Sequence, residues 1–256
     1  MPPSAAAEAP GPAGPPTPLT VELIPVLRDN YVFVLHDGRR AAVVDPAEAE
    51  PVRRWLEERG LELEAVLHTH HHADHIGGTP GLLHRWPGAR VVAARADRER
   101  IPFQTEGVVG GDQVDVLGQQ LEVLEVPAHT RAHIAYHLPG ELFCGDTLFA
   151  GGCGRLFEGT AAQMHAALKR FAALPGSTRV WCAHEYTAPN LRWAARQRPG
   201  DVAVAQRLAA VQERRREGRP TIPSTIAEER ATNLFMRAAD AAELADLRES
   251  RNHWSG

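Results

Sequence analysis

Between Thr20 and Asp45 the apolar positions come in short runs separated by turn signals. Val21, Leu23 and Ile24 begin one predicted strand, residues 31–35 form a second, and residues 41–44 a third after the turn at Asp37-Gly38. Asp45 then offers an N-cap with Pro46 at the first helical position. The helix it would start carries Val52, Trp55 and Leu56 on one face and stops at Gly60. Ala65, Val66 and Leu67 read as a short apolar strand. Downstream the pattern predicts a helix over residues 80–86 and a strand at 91–93. Two strand pairs follow, residues 113–117 with 121–126 and residues 133–138 with 142–144. Thr160-x-x-Gln163 reads as a capping box for a helix reaching Ala173, and residues 179–182 as a last strand. Mixed helices and mostly sequential strands indicate two sheets with helices outside, an α/β layered fold.

The character changes after His184. Residues 191–197 and 202–216 look helical, Pro220 and Pro223 break the chain, Thr225-x-x-Glu228 is a second capping signal, and residues 238–251 are helical again. The expected organisation is therefore a catalytic domain over residues 19–186 and a smaller helical domain over 187–256. Residues 1–18 are almost entirely Pro, Ala, Gly, Ser and Thr, without the basic and apolar regions of a signal peptide, and read as a disordered tail.

Composition narrows the function classes. A formal net charge of -4 argues against a nucleic-acid partner, which would demand a basic excess. No apolar run approaches the roughly 18 residues of a spanning helix, so no membrane partner is expected. Three sparse cysteines, Cys144, Cys153 and Cys182, do not make a disulfide framework and fit a reducing cytoplasm.

The histidines carry the chemistry. Residues 69–75 read Thr-His-His-His-Ala-Asp-His directly after an apolar strand. In an extended segment, side chains at i and i+2 point the same way, so His70 and His72 can bind one ion. Asp74 and His75 are adjacent and cannot both easily serve that ion, but they can turn to a second one a few ångströms away, as in two-metal hydrolases.

This run resembles the His-x-His-x-Asp-His signature of the metallo-β-lactamase superfamily. Three further segments follow in that family's order: Pro127-Ala128-His129-Thr130, Gly145-Asp146-Thr147 and Ala183-His184-Glu185-Tyr186. The stretches FCGDTLFAGGCGRLFEGT (143–160) and PTIPSTIAEERATNLFMR (220–237) are similar to glyoxalase II, the hydroxyacylglutathione hydrolases, and the likeness runs from about Thr20 to the end. The resemblance implies an αββα sandwich with a C-terminal helical domain. It implies hydrolysis of S-lactoylglutathione and related 2-hydroxyacyl thioesters to glutathione and D-lactate, the second step of methylglyoxal detoxification. Within the superfamily, a mononuclear-iron persulfide dioxygenase or another hydrolase is the alternative.

By the same resemblance His70, His72 and His129 hold one metal, Asp74, His75 and His184 hold another, and Asp146 bridges. Two divalent ions are implied, with zinc expected and iron or manganese as alternatives. Asp74 and Asp146 act in catalysis through the ions and a hydroxide between them. Arg155, Phe157, Tyr186, Arg248 and Arg251 are the implied contacts to a glutathione thioester in a monomeric enzyme. The family's usual lysines stand here as Arg155 and Arg251, and its commoner tyrosine as Phe157. The remaining histidines are expected elsewhere: His68 in the core or supporting the ligands from behind, His71 pointing away, His133 orienting or underlying His129, and His165 and His253 at the surface.

Overall fold

The computed structural model describes residues 19–255, so the expected tail at 1–18 lies outside the described residues. The first sheet runs in spatial order through β1 (Thr20–Val26), β2 (Asn30–His36), β3 (Arg40–Val44), β4 (Glu62–Leu67), β5 (Arg90–Ala94) and β6 (Glu106–Val108). β1 to β3 pair antiparallel, and β3 to β6 run parallel. Parallel neighbours need a crossover. Here α1 (Ala49–Glu58) joins β3 to β4, and the single turn α2 (Ala73–Ile76) with α3 (Thr79–Arg85) joins β4 to β5.

The second sheet begins with the antiparallel run β7 (Gln113–Val116), β8 (Gln119–Glu125), β9 (Ile134–Leu138) and β10 (Glu141–Gly145). A small hairpin of β11 (Leu148–Phe149) and β12 (Gly152–Cys153) and the helix α4 (Ala161–Ala172) follow. β13 (Arg179–Cys182) then returns parallel to β10. After α5 (Thr187–Gln197) and α6 (Val202–Arg216), β14 (Ser224–Thr225) adds an edge strand, and α7 (Ile226–Thr232), α8 (Leu234–Arg237) and α9 (Ala241–Asn252) complete the chain.

The continuous apolar run of β2 is explained by burial on both faces. Tyr31, Phe33 and Leu35 point between the sheets, while Val32 and Val34 point outward under α1 and α3 with Val52, Leu56 and Leu82. Phe33 bridges the sheets, with its ring 5.9 Å from Phe143 and 5.4 Å from Trp181. α4 covers the outer face of the second sheet through Met164, Leu168 and Phe171. Trp193, Phe235 and Leu244 of the C-terminal helices join the same buried cluster. The layers are therefore helix, sheet, sheet, helix, as the resemblance implied.

Local readings differ from the structure at several points. Asp45 does not cap α1: the helix begins at Ala49 after Glu48, and Asp45 sits at φ +49 with its side chain buried. The segment read as helical from 238 starts only at Ala241, where Asp240 caps α9 through the amides of Ala242 and Glu243. The C-terminal region also lends a strand to the second sheet, which its composition did not suggest. Both capping boxes form as read, Thr160 with Gln163 and Thr225 with Glu228.

The helical region is tied to the hairpin by a buried charge. Glu229 is fully buried, pairs with Arg207 of α6 at 2.6 Å, and accepts from the Gly151 amide at 2.8 Å and Asn233 at 2.9 Å. Glu229→Ala would leave the largely buried Arg207 guanidinium without its anionic partner and should cost about 3 kcal/mol. Urea unfolding of the variant would measure this; a loss below about 1 kcal/mol would contradict the assignment.

Candidate metal centre

The loop after β4 delivers His70 and His72, and α2 delivers Asp74 and His75 on its first turn. His129 comes from the β8–β9 loop, Asp146 from the end of β10 and His184 from the end of β13. All of these positions lie at the same rim of the two sheets. His70 Nε2 and His129 Nε2 are 3.0 and 3.1 Å from His72 Nδ1. Asp74 Oδ2 is 3.7 Å from His75 Nε2 and 3.5 Å from His184 Nε2. Asp146 stands between the groups. Its Oδ2 is 3.4 Å from His129 Nε2, and its Oδ1 is 3.4 Å from His75 Nε2 and 3.3 Å from His184 Nε2. Within each of the triads His70–His72–His129 and Asp74–His75–His184, the donor atoms lie within 4.8 Å of one another.

Backbone geometry makes room for this convergence. The β10–β13 register shifts between Phe143 and Gly145, and Gly145 takes φ +49. A Cβ at Gly145 would stand 2.3 Å from Thr69 Oγ1 and 2.9 Å from the His133 ring, so no side chain fits where the strand turns Asp146 inward.

Hydrogen bonds settle which nitrogen of each ring is free. Carbonyl and carboxylate oxygens only accept, so a ring nitrogen bonded to one must carry the proton. His129 Nδ1 donates to the Arg155 carbonyl at 2.9 Å, His75 Nδ1 to Asp45 Oδ2 at 3.0 Å, and His184 Nδ1 to Asp29 Oδ1 at 3.0 Å. Thr69 Oγ1 donates to Asp45 Oδ2 at 2.6 Å, so it accepts from His70 Nδ1 at 3.1 Å. In all four rings it is Nε2 that faces the cluster. Such outer partners are characteristic of histidines that bind metal.

Electrostatics points the same way. Burial holds His70 well below the ordinary histidine range, and burial likewise lowers His72 and His129, so all three are neutral bases. Burial also opposes charge on His75, but the Asp146 and Asp45 carboxylates outweigh it and raise its pKa well above the usual value. Burial would raise Asp146, yet His75 and His184 hold it well below the carboxylate range. Buried His75 Nε2 and Asp146 Oδ1 nevertheless lack a hydrogen-bond partner among the described residues. Orphaned polar atoms are costly in a low-dielectric site. A cation between them supplies what they lack, so the residues present fit a metal site.

Asp45 is the residue that sequence reading missed. It also lies near His70 and His75 in a third grouping of potential donors. Its oxygens, however, already accept from the Thr69 amide at 2.8 Å, the Thr69 hydroxyl and His75 Nδ1. It is a support beneath the histidines rather than a ligand. The readable signal was its position at the end of β3, in register beside the strand that carries the histidine run.

The other histidines fall into place with two corrections. His68 is buried with Nε2 2.9 Å from Thr79 Oγ1, and His71 turns away toward Asp97 and Arg100. His133 makes no hydrogen bond to His129, although its ring meets that of His129 edge-on at 6.1 Å, which fits the packing alternative. It stacks on His70 at 4.7 Å and accepts the Asp146 amide at 3.2 Å, and burial pushes its pKa down to about 3, which keeps it neutral for that role. His165 is not a free surface residue, because it is half-buried with Nε2 3.2 Å from the Ala238 carbonyl. His253 is exposed as expected.

A cleft of about 420 Å³ opens onto His129 and Asp146. Arg155, Arg248 and Arg251 line it with Phe149, Phe157 and Tyr186, so every expected substrate contact borders the same space. Arg248 is 7% exposed and donates to the Cys153 carbonyl at 2.7 Å and to Asn252 Oδ1. Arg251 rests on Asn190 Oδ1, another residue the sequence did not single out. Burial lowers the Arg251 pKa, and the neighbouring guanidiniums of Arg248, Arg155 and Arg192 lower it further. Tyr186 stacks on His184 with ring centroids 4.7 Å apart.

Residues 25–184 match the metallo-beta-lactamase superfamily model, and residues 185–254 match the model of the hydroxyacylglutathione hydrolase C-terminus. The chain is 60% identical to a hydroxyacylglutathione hydrolase of Parasynechococcus marenigrum, over 92% of this chain and 98% of the relative. A hydroxyacylglutathione hydrolase of Synechococcus sp. (strain CC9605) is 56% identical over 92% and 98%. Among solved structures, ETHE1 from Myxococcus xanthus superposes with a TM-score of 0.67 at 28% identity, covering 90% of each chain. The BLEG-1 B3 metallo-beta-lactamase does so with a TM-score of 0.67 at 20% identity, over 86% of this chain and 100% of that one, which is a likeness of fold.

The support role of Asp45 is testable apart from any ligand role. Asn tolerates the left-handed backbone at this position, so Asp45→Asn removes the charge without forcing the chain to move. Asp45→Ala should lower stability by about 3 kcal/mol because it strips acceptors from buried donors, and Asp45→Asn should fall between it and wild type. Urea unfolding of the metal-free proteins gives the order; equal stability of all three would contradict it.

Proposed function

The chain belongs to the hydroxyacylglutathione hydrolase family of the metallo-beta-lactamase superfamily, and from that membership we propose that its substrate is S-lactoylglutathione, with other S-2-hydroxyacylglutathiones, cleaved to glutathione and D-lactate or the corresponding hydroxy acid. The observation that carries this reading is the meeting of two features. A cleft bearing three arginines opens directly onto the donor cluster at His129 and Asp146.

His70, His72 and His129 would hold one divalent ion and Asp74, His75 and His184 a second, with Asp146 between the two sets. Zinc is the expected ion. Bound divalent ions would supply the acidity that ionises water near neutral pH and the charge that polarises a thioester carbonyl. The protein's own part is to aim the donors. Asp45, Asp29 and the Arg155 carbonyl take the Nδ1 protons of His75, His184 and His129 and leave each Nε2 open.

Glutathione carries carboxylates, and the cleft concentrates positive charge to meet them. Arg248 and Arg251 make their hydrogen bonds to neutral acceptors, Cys153 O, Asn252 Oδ1 and Asn190 Oδ1. Their mutual repulsion is relieved when a carboxylate enters, and a guanidinium grips it in a bidentate way. Phe157, 60% exposed at the lip, sets its ring 5.1 Å from His129. The leaving thiol ionises near pH ~8.5, so it departs as thiolate without a dedicated general acid.

Steady-state kinetics with S-D-lactoylglutathione test the reading. Arg251→Ala should raise KM by roughly tenfold or more while kcat changes little, because the contact is made equally in ground and transition states. An unchanged KM would remove Arg251 from the substrate site. A wild-type enzyme loaded with metal that does not hydrolyse this thioester would overturn the substrate itself.

A further inference from the structure

The turn between β1 and β2 lies beneath the second donor triad, and its residues have no part in the assignments above beyond one hydrogen bond. Asp29 Oδ1 accepts from His184 Nδ1 at 3.0 Å. The next residue, Asn30, is 6% exposed and donates its side-chain amide twice to Asp74, to Oδ2 at 3.0 Å and to the carbonyl at 3.1 Å. Two consecutive residues thus hold two of the three members of the second triad. Neither touches His70, His72 or His129 by any hydrogen bond among the described residues.

The turn itself is fastened from both sheets. Leu27 adopts φ +50, a conformation that a branched side chain disfavours, and its amide is held by Glu48 at 2.8 Å. The Tyr31 amide donates to the Ala183 carbonyl at 2.7 Å, and the Glu185 amide donates to the Asp29 carbonyl at 2.8 Å, so the backbones on both sides of His184 are clamped to the turn. The Tyr31 hydroxyl donates to Glu185 Oε2 at 2.7 Å, and Glu185 also accepts from the Thr221 amide and hydroxyl at 2.8 and 2.6 Å. A strained turn held by so many bonds keeps its side chains in one position.

We infer that Asp29 and Asn30 are positioning residues for the second ion, setting its affinity independently of the first. Asp29 orients His184 and makes its Nε2 more basic, since a carboxylate acceptor at Nδ1 draws the proton to that side. Asn30 restrains Asp74, whose side chain is 41% exposed and would otherwise be free to turn into solvent. The Tyr186 ring, stacked on His184 and lining the cleft, also joins the cleft wall to this triad. The inference rests on the reading that both triads hold ions, and it is tested by ion binding rather than by turnover.

The test titrates zinc into metal-free protein against a competing chelator, for wild type, Asp29→Ala, Asp29→Asn and Asn30→Ala. Wild type should take up two ions. Asp29→Ala and Asn30→Ala should weaken one binding event by tenfold or more and leave the other within about threefold, in line with the roughly 10–100-fold effect of such outer partners. Asp29→Asn keeps an acceptor without the charge and should fall between wild type and Ala. This graded loss at one site is not what general damage produces. Two unaltered affinities in the variants, or equal weakening of both, would overturn the inference while leaving the two-ion reading intact. A single binding event in wild type would overturn the two-ion reading and this inference with it.

Discussion

The carboxylate of Asp45, buried at the end of β3, is the contact on which the arrangement of the metal centre depends. It accepts from the backbone and hydroxyl of Thr69 and from His75 Nδ1. Through Thr69 Oγ1 it fixes the tautomer of His70, in the first triad, and through His75 it fixes one member of the second. Thr69 also accepts the Ile134 amide through its carbonyl, which joins this loop to the second sheet. Burial alone would protonate Asp45, but the nearby imidazoles of His68 and His75 hold its pKa well below the carboxylate range. The cost of burying that charge is offset only while its donors stay in place. The same hydrogen bonds therefore serve stability and the aim of the ligands.

A second constraint comes from the two sheets. Donors from the β4–α2 segment meet donors from the ends of β10 and β13, so the centre exists only when the sheets are packed face to face. The aromatic contacts of Phe33 with Phe143 and Trp181 lie in that packed layer. The C-terminal helices complete the cleft. They share the buried cluster of the second sheet and bring Arg248 and Arg251 to the cleft, with Asn190 setting the direction of Arg251. The cleft at the donor cluster thereby gains a wall of guanidinium groups.

Much of this was legible before any coordinates. Apolar runs such as residues 31–35 and the two capping boxes locate strands and helices, because local geometry dictates those patterns. The histidine run and its three companion segments announce the donors and the family, and all of them converge. What stayed hidden depends on contacts between distant segments. Asp45 looks like a helix cap, since Asp before Pro is common there, and only the parallel register of β3 with β4 puts it under the histidines. His133 could be read as serving His129, but the bulge at Gly145 gives it to the Asp146 amide instead. Asn190, Asp29 and Asn30 carry no motif of their own, and their roles appear only when β2 meets β13 and α5 meets α9.

The central proposal is that the two donor triads each hold an ion and act together on a thioester. Stepwise reconstitution tests this most directly: metal-free protein is given zinc in sub-stoichiometric steps, and bound metal and S-D-lactoylglutathione hydrolysis are measured on the same samples. Hydrolysis should be absent without metal and should rise with the second equivalent bound per chain. Full activity at one equivalent, or turnover by the metal-free protein, would contradict it.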